Sequence, residues 1–538
     1  MNRRWFLGLA AALAGCGRRA TSQREAGNAL ARPLPVDPAA ASLVQLSEAM
    51  GRGTLAAREL TQFYLQRIAA LDRSGPTLRA VLETNPDALE DASLLDRERA
   101  SGRVRGPLHG IPLLIKDNID TSGPMTTTAG SLALEGWHAP ADAPLVARLR
   151  VAGAVILGKS NLSEWANIRS THSSSGWSGR GGQVRNPYDL ARSPSGSSSG
   201  SAVAVAAGLC AAAVGSETDG SIVSPASVNG LVGIKPTVGL VSRSGMIPIS
   251  SSQDTAGPMA RSVADAVLLL DAMRGDDAED GATVGTAARM PAALSAALGA
   301  GGVRGARLGV ARHLVAGNAA LERALDGIVM LLRDAGAVLV DAVKLPKTEA
   351  LEAAELEVLL YELKAGLNRY LARLPADFRV HSLADVIRFN RENRGREMPA
   401  FEQELFEQAE AKGPLSDAAY RRARADCLRL SRGPIDAVIK ANRLDAIVSL
   451  TGGVAWMIDD VNGDAFTGSC STYPAVAGYP HITVPATRYR GLPLGLSLFG
   501  SAWSEEKLLR IAAAFETERG TLPGPPPFAR ASSSSLAS

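Results

Sequence analysis

Residues 171–260 restrict the fold more than any other segment, because they are dense in glycine, serine and threonine. Such a composition is typical of a flexible linker when it stands alone. Here it is interleaved with tightly apolar stretches, SAVAVAAGLCAAAVG and VNGLVGIKP. We therefore expect backbone loops of small residues that are packed against a hydrophobic core.

The whole chain has the composition of an ordinary globular protein. Its 538 residues are roughly three to four times a typical domain, which allows several domains or one large α/β domain. A hydrophobic fraction of 46% and a charged fraction of 21% exclude intrinsic disorder and a coiled-coil or collagen-like rod. The formal net charge of +3 and the aromatic fraction of 4% give no basis for nucleic-acid binding.

Short apolar runs and helical patterns alternate along the chain. Strand signals occur in residues 104–165 (IPLLI, AVILG) and 436–520 (AIVSL, HITVPA, GLSLFG), and the second region closes with an amphipathic helix, EEKLLRIAAAF. Residues 345–432 are dominated by glutamate, leucine, alanine and arginine, which predicts a helical insertion added to the main sheet. The pattern predicts an α/β fold.

The first 16 residues, MNRRWFLGLAAALAGC, are typical of an export signal. Arg3 and Arg4 precede an apolar run and resemble a twin-arginine signal. The ending Leu-Ala-Gly-Cys resembles a lipobox, in which Cys16 would be lipidated; a plain signal peptide is the alternative. We expect an exported protein, periplasmic or anchored to a membrane as a lipoprotein.

Both ends of the chain predict segments without a packed core. Residues 17–40 have the composition of a flexible tether, and residues 521–538 that of a disordered tail. Between them no apolar run reaches the roughly 18–20 residues that a transmembrane helix needs. Cys210, Cys427 and Cys470 match neither a disulfide framework nor a zinc site.

Three segments carry the residues that could do chemistry. Lys116 ends the apolar run of GIPLLIKDNID, a place where a lysine usually reaches out to water. SPSGSSSGS (193–201) and GSETDGSIVSPAS (215–227) are glycine- and serine-rich turns. Small residues let backbone N–H groups approach a bound group closely, so each turn could bind an oxyanion or a phosphate.

The first turn also matches the nucleophile elbow G-x-S-x-G, between Gly196 and Gly200. That interpretation requires a preceding strand, and RNPYDLARSP does not have a strand pattern. It also requires a histidine base. Three histidines follow in the chain, His313, His381 and His481, of which only His481 lies in a sheet-like context. The phosphate interpretation lacks the pattern G-x-x-x-x-G-K-[ST].

Taken together, the three segments resemble the amidase signature family. Lys116 matches the lysine of the family, Ser197 its serine in a cis peptide, and Ser221, 24 positions later, its nucleophile. The resemblance covers residues 42–518 and is densest over 104–270. It implies a single large domain, residues 41–520, with a mixed, twisted central β-sheet covered by α-helices.

The resemblance also implies hydrolysis of a carboxamide C–N bond to a carboxylate and ammonia, without metal or cofactor. Lysine can act as a base only when it is neutral, so the pKa of Lys116 must fall from about 10.4 to about 7–8, roughly 3–5 kcal/mol of desolvation. An oxyanion hole is expected from successive backbone N–H groups, those of Thr218, Asp219, Gly220 and Ser221.

The second turn departs from the commonest family pattern, G-S-D-T-G-G-S-I-R. Glu217, Asp219 and Val223 stand at its variable positions, and without an arginine at 223 an anion clamp is lost. Asp219 beside the nucleophile disfavours an anionic substrate. The form E-T-D-G-S-I, with TTTAGSLAL and NLSEWANIRS, is similar to bacterial peptide amidases of the family, which implies the C-terminal amide of peptides as the substrate.

Three other functions remain open. They are a broad-specificity aliphatic or aryl amidase, the ammonia-supplying subunit of a cytoplasmic transfer-RNA amidation complex, and a non-catalytic binding lipoprotein on the same scaffold. The export signal argues against the ammonia-supplying subunit.

We expect a monomer that acts on a small-molecule or short-peptide amide and meets a membrane only through a lipid anchor. His109 and His172 are expected to be structural or at the surface, Trp165 and Trp177 to pack in the core, and the 345–432 helices to form the cleft wall.

Overall fold

A computed structural model describes residue 34, residues 36–299 and residues 302–522. The predicted export signal (1–16) with Cys16, most of the predicted tether (17–40) and nearly all of the predicted tail (521–538) therefore lie outside the described residues.

All strands of the described residues belong to one sheet. The strands are β1 (Val81–Thr84), β2 (Pro112–Lys116), β3 (Val155–Ser160), β4 (Ala212–Glu217), β5 (Val232–Lys235), β6 (Thr255–Ala260), β7 (Arg307–Val310), β8 (Val338–Asp341), β9 (Ala446–Leu450), β10 (His481–Tyr489) and β11 (Leu492–Phe499). The α-helices are α1 (Leu43–Gly51), α2 (Ala57–Arg67), α3 (Ala88–Ala100), α4 (Pro144–Val151), α5 (Ser199–Ala206), α6 (Val223–Val228), α7 (Val263–Met273), α8 (Ala319–Asp334), α9 (Glu349–Leu371), α10 (Leu383–Glu392), α11 (Arg394–Glu397), α12 (Glu404–Glu410), α13 (Ala418–Asn442), α14 (Thr472–Ala477) and α15 (Glu505–Arg519).

The sheet is mixed and has the strand order β1-β3-β2-β4-β6-β5-β10-β11-β9-β7-β8. Its strands are parallel in two places, where β2 lies between β3 and β4 and where β7 lies between β8 and β9. The other pairs are antiparallel. The predicted class, a large α/β domain with a mixed sheet covered by helices, is confirmed, as are the predicted strands β2, β3, β9, β10 and β11 and helix α15.

The central strands are buried over their full length, which explains their continuous apolar runs. Every residue of β2, β3 and β4 is buried. Strands that are covered on both faces have no polar face, so their sequences do not alternate. The edge strands β1 and β8 are only partly buried, and their sequences, VLET and VLVD, include charged residues.

The glycine- and serine-rich segment packs into the core, as its apolar stretches predict. All eight residues of α5 are buried, and so are all six of α6. Gly200 makes this possible at the start of α5, because a Cβ atom there would lie 2.2 Å from the carbonyl oxygen of Ala80 and 2.5 Å from that of Asn161. Only glycine therefore lets the helix approach this part of the sheet so closely.

Helices α9 to α13 lie between β8 and β9 in the chain. Apolar residues of α9, α10 and α12 form a second hydrophobic cluster with Trp165, Ile168 and Ile247 from the first half of the chain. Next to this cluster is a buried charged group, the side chains of Glu164, Arg169 and Glu397. Glu164 Oε1 lies 3.1 Å from Arg169 Nη1, and Glu397 Oε1 accepts hydrogen bonds from Ser131 Oγ (2.9 Å) and Leu132 N (2.6 Å).

This buried cluster contains two carboxyl groups but one guanidinium group. We therefore predict that one of the two carboxyl groups keeps its proton at neutral pH. Burial is the main cause that raises the pKa of Glu164 well above its usual value; Arg169 opposes it and Glu397 adds to it. A group with a raised pKa in the folded state stabilises the fold below its unfolded pKa, and this contribution is lost as the pH rises through the folded pKa.

We therefore expect the Glu164→Gln variant, which keeps a neutral side chain of the same shape, to lose less stability than the wild type between pH 5 and pH 8. The difference should amount to about a few degrees in the midpoint of thermal unfolding. Glu407→Gln is the control, because Glu407 is an exposed glutamate of α12. This variant should behave as the wild type. If the midpoints of thermal unfolding of the wild type and Glu164→Gln change with pH in the same way, Glu164 does not keep its proton at neutral pH.

Candidate active site

Lys116 is the last residue of β2 and is fully buried. Its Nζ atom donates hydrogen bonds to Ser197 Oγ (2.8 Å) and to two atoms of Ser216 on the neighbouring strand β4, Oγ (2.9 Å) and the carbonyl oxygen (3.2 Å). The usual tendency of a strand-end lysine to reach water is thus not followed here. Its amine instead lies inside the protein among hydroxyl and carbonyl oxygens.

Burial lowers the pKa of Lys116 to about 7, although the carboxylates of Asp254 and Glu217 act in the opposite direction. The cost of removing an ammonium group from water disfavours its charged form. A substantial fraction of the amine is therefore neutral near neutral pH and can accept a proton. The value agrees with the range that amide hydrolysis by a lysine base requires.

Ser197 is buried and follows a cis peptide bond, Gly196–Ser197, the form that the family resemblance implied. Its carbonyl oxygen accepts a hydrogen bond from Ser163 N (3.0 Å), and its hydroxyl accepts the bond from Lys116. Gly196 cannot carry a side chain, because a Cβ atom there would lie 2.1 Å from Ser163 Oγ. The loop therefore presents the Ser197 hydroxyl to the lysine.

Ser221 ends the turn 218–221 between β4 and α6. The turn is anchored on both sides. Thr218 Oγ1 donates to Asp254 Oδ1 (2.6 Å), and Glu217 Oε2 accepts from the backbone N–H groups of Ile222 (2.7 Å) and Val223 (3.0 Å). Ser198 N donates to the carbonyl oxygen of Ser221 (3.1 Å), which joins this turn to the Ser197 loop.

The backbone N–H groups of Thr218, Asp219, Gly220 and Ser221 make no hydrogen bond to any described residue. Gly220 has a φ of +76°, a conformation that favours glycine and turns the chain sharply before Ser221. Consecutive free N–H groups in such a turn can bind an oxygen that carries negative charge. The turn thus has the backbone donors that an oxyanion hole needs.

The three predicted residues lie close together, but they are joined by different kinds of hydrogen bond. Lys116 and Ser197 share a direct hydrogen bond, and Ser221 is joined to the residue after Ser197 through its backbone. Among the described residues no hydrogen bond joins the hydroxyl groups of Ser197 and Ser221. Catalytic hydrogen bonds are often long or poorly aligned without substrate and tighten in the reactive complex, so geometry alone does not exclude this pair.

A cavity of about 790 Å³ opens beside this site, and Gly196, Asp219 and Gly220 are among its lining residues. Residues 346–352, at the start of α9, form one part of its wall. Another part comes from the segment between β9 and α14, including Trp456, Phe466 and Ser471. The insertion predicted to form the cleft wall thus contributes only its first residues, and the second wall segment was not predicted from the sequence.

The competing Ser-His-Asp interpretation finds no support in the structure. Ser198, the central serine of the G-x-S-x-G match, donates its hydroxyl to the carbonyl oxygen of Ser216 (3.0 Å) and accepts from the N–H of the same residue (3.2 Å). His481 is buried in β10, where its Nε2 lies 2.6 Å from Ser497 Oγ. Burial lowers the pKa of His481 to about 3, which suits a neutral core residue.

The other aromatic and histidine residues also have structural places. His109 is buried, with its Nε2 2.9 Å from the carbonyl oxygen of Leu95, and His172 is exposed. Trp165 packs edge-on against Phe406, and the partly buried Trp177 packs against Phe401. The expectations for His109, His172 and Trp165 are confirmed, whereas Trp177 is only partly buried and lies outside the hydrophobic core clusters.

Sequence reasoning missed Ser216, which holds Lys116 through two acceptor oxygens. The signal was present, because Ser216 lies next to the motif turn at the end of a strand. In the described part of the chain, no three histidine, cysteine or carboxylate side chains form a group that could hold a metal ion. No helix of that part is long and apolar enough to cross a lipid bilayer.

Comparisons with known proteins agree with this geometry. A family model described as Amidase matches residues 59–509, and a probable amidase of Arabidopsis thaliana is 42% identical over 497 residues, which cover 90% of this chain and 91% of the relative. The chain therefore belongs to the amidase family. It is a hydrolase that acts on amides.

Two solved structures are more similar still. The native peptide amidase from Stenotrophomonas maltophilia is 53% identical with a TM-score of 0.86, and the match covers 92% of this chain and all of that chain (100%). The peptide amidase PAM in complex with the competitive inhibitor chymostatin is 54% identical with a TM-score of 0.86, over 90% of this chain and 98% of that one.

Proposed function

We propose that this protein hydrolyses the C-terminal carboxamide of peptides to a carboxylate and ammonia, with Ser221 as nucleophile, Ser197 as proton relay and Lys116 as base. The observation that carries the proposal is the buried, hydrogen-bonded pair of Lys116 Nζ and Ser197 Oγ at 2.8 Å, adjacent to the turn that ends in Ser221. A broad-specificity aliphatic or aryl amidase is the second candidate, because the same three residues would serve it.

In the first step Ser221 Oγ attacks the carboxamide carbon. Its proton passes to Ser197 Oγ, while the proton of Ser197 passes to the neutral amine of Lys116. The C=O bond opens to an oxyanion, which the N–H groups of residues 218–221 stabilise; each such donor is worth about 10²–10³ in rate. Lys116 becomes an ammonium ion, which can donate hydrogen bonds to the two oxygens of Ser216.

In the second step the C–N bond breaks and the proton returns along the same path to the leaving nitrogen, which departs as ammonia. An ester between the substrate acyl group and Ser221 remains. A water molecule then attacks this ester, giving its proton through Ser197 to Lys116, and the Ser221 hydroxyl is restored when the carboxylic acid leaves. One water is consumed for each ammonia released, and Lys116 ends each half-reaction neutral.

Two observations support a peptide amide rather than a small anionic substrate. Asp219 lies two residues before the nucleophile and lines the cavity; burial raises its pKa, and in either protonation state this acidic side chain offers no positive charge to a free C-terminal carboxylate, whereas a neutral carboxamide needs none. The cavity of about 790 Å³ has room for more than a simple aliphatic amide. Both solved relatives are peptide amidases, which agrees with this substrate class.

The test is a comparison of ammonia release from four compounds: an amidated dipeptide, the same dipeptide with a free carboxylate, propionamide and glutamine. We expect kcat/KM for the amidated dipeptide to exceed that for propionamide by at least about 100-fold, because the larger ligand uses more of the cavity. The free dipeptide should stay intact, since its only amide bond is internal.

Each other outcome points to a different function. Equal or faster hydrolysis of propionamide would favour the broad-specificity amidase, and preference for glutamine would favour an ammonia-supplying subunit. Absence of any ammonia from an intact, folded protein would favour the binding lipoprotein. The proposal includes an exported, periplasmic or lipid-anchored location, which rests on the sequence of residues 1–16 with Cys16 at its end.

A further inference from the structure

Two aromatic side chains, Trp456 and Phe466, line the cavity on the segment between β9 and α14. Their rings pack edge-to-face with centroids 5.5 Å apart. Trp456 is nearly buried, whereas 47% of Phe466 is exposed. Neither residue belongs to the proposed catalytic set, and Leu314 and Pro346 add further apolar lining to the same cavity.

The aromatic pair is held in place by a network of hydrogen bonds. Trp456 Nε1 donates to Asp464 Oδ1 (2.9 Å), and both carboxylate oxygens of Asp464 lie 3.1 Å from Ser175 N. Gly453 N donates to the carbonyl oxygen of Thr467, next to Phe466, at 2.7 Å. Phe466 therefore packs one side of its ring on Trp456 and leaves part of the ring open to the cavity, where it can contact an apolar group of a ligand.

A short series of contacts joins the aromatic pair to the turn 218–221, which ends in Ser221. A Cβ atom at Gly220 would lie 3.1 Å from Ser471 Oγ, and Ser471 Oγ is 2.9 Å from Ser469 Oγ. Ser469 forms a β-bridge with Gly452, whose Cβ position is 3.9 Å from Phe466 Cζ. Gly220 of this turn and both aromatic residues line the same cavity, so a peptide amide bound at the turn shares the cavity with the aromatic pair.

We propose that Trp456 and Phe466 form a subsite for an apolar side chain in the last two residues of the peptide amide. The subsite rests on the proposed function for the identity of the ligand. Its chemistry is that of an anchored aromatic wall, which binds aliphatic or aromatic side chains by burial and ring contact. The occupant is thus an apolar residue close to the carboxamide, and not a charged one.

The experiment compares three substrates, acetyl-Gly-Gly-NH₂, acetyl-Phe-Gly-NH₂ and acetyl-Gly-Phe-NH₂, in the wild type and in Phe466→Ala. We expect the wild type to prefer at least one phenylalanine peptide over the glycine peptide by about tenfold in kcat/KM, the effect of one buried ring contact. Phe466→Ala should remove this preference, because kcat/KM should fall about tenfold more for the preferred phenylalanine peptide than for acetyl-Gly-Gly-NH₂.

Val461→Ser is the matched control, because Val461 lies on the same segment, is 90% exposed and is outside the cavity lining. It should keep the preference of the wild type. A preference that survives in Phe466→Ala, an equal loss for all three peptides, or a wild type that hydrolyses peptide amides without any preference would each overturn the subsite and leave the proposed function standing.

A binding measurement keeps the two proposals separable. If the wild type hydrolyses none of the three peptides, the proposed function fails, and calorimetric titration with acetyl-Phe-Gly-NH₂ and acetyl-Gly-Phe-NH₂ then tests the subsite alone. Binding of either peptide that weakens about tenfold in Phe466→Ala, but not in Val461→Ser, would support the subsite. No binding of either, or equal binding by both variants, would overturn it.

Discussion

Replacing Ser221 with alanine is expected to lower kcat/KM for a peptide amide by at least about 10⁴-fold, because the substitution removes the atom that forms the acyl-enzyme. The residual rate would come from binding and the backbone donors alone. The backbone of the turn should persist, since its anchors are the side chains of Thr218 and Glu217 and not that of Ser221.

Ammonia release and labelling by a fluorophosphonate probe both test this expectation. The wild type should be labelled at Ser221 and the Ser221→Ala protein should not. Ser198→Ala is the informative comparison, because Ser198 is the central serine of the competing motif and its hydroxyl, within the described part of the chain, bonds only to Ser216. If Ser221→Ala still turned over and Ser198→Ala did not, the nucleophile would be misassigned.

Replacing Lys116 with methionine is expected to reduce kcat/KM near pH 7 by about 10³-fold or more, because among the described residues Lys116 is the base that contacts Ser197 Oγ. In the wild type the neutral amine is the active form and its pKa is about 7, so kcat/KM should rise as the pH increases through about 7. The variant should lack this rise.

A profile of kcat/KM from pH 5 to pH 10 measures the effect. Lys116→Arg keeps a positive charge but cannot give up its proton in this range, so it should be as inactive as the methionine variant. Activity of Lys116→Met only above about pH 9, where hydroxide replaces the base, remains compatible with the mechanism. An unchanged rise near pH 7 in a folded Lys116→Met protein would show that another group titrates. Thermal unfolding of both variants controls for misfolding.

The three proposed catalytic residues could be located in the sequence because each lies in a contiguous stretch that resembles a motif of the family. Lys116 interrupts an apolar run at the end of a strand, and Ser197 and Ser221 lie in turns made almost wholly of small residues. The central strands were also readable, since strands covered on both faces need uninterrupted apolar sequence.

The cavity wall could not be predicted, because its parts come from distant segments of ordinary composition. Phe466 follows Ser221 by more than 200 residues, and nothing in VNGDAFTGS distinguishes it from a surface loop. The pairing of Glu164 with Glu397 is similar, since long-range contacts between charged side chains leave no local pattern in the sequence. Such features depend on how the α9–α13 insertion packs, which only the folded chain determines.

Much of the cavity wall lies far along the chain from the residues proposed to break the amide bond. The groups proposed to break the bond lie between residues 116 and 221, whereas much of the cavity wall comes from residues 346–352 and 456–472. A substitution in the later segments can therefore alter which amide is accepted without disturbing proton transfer. An engineer who wanted a new specificity could therefore begin by diversifying these two short stretches, which contain none of the groups proposed to break the bond.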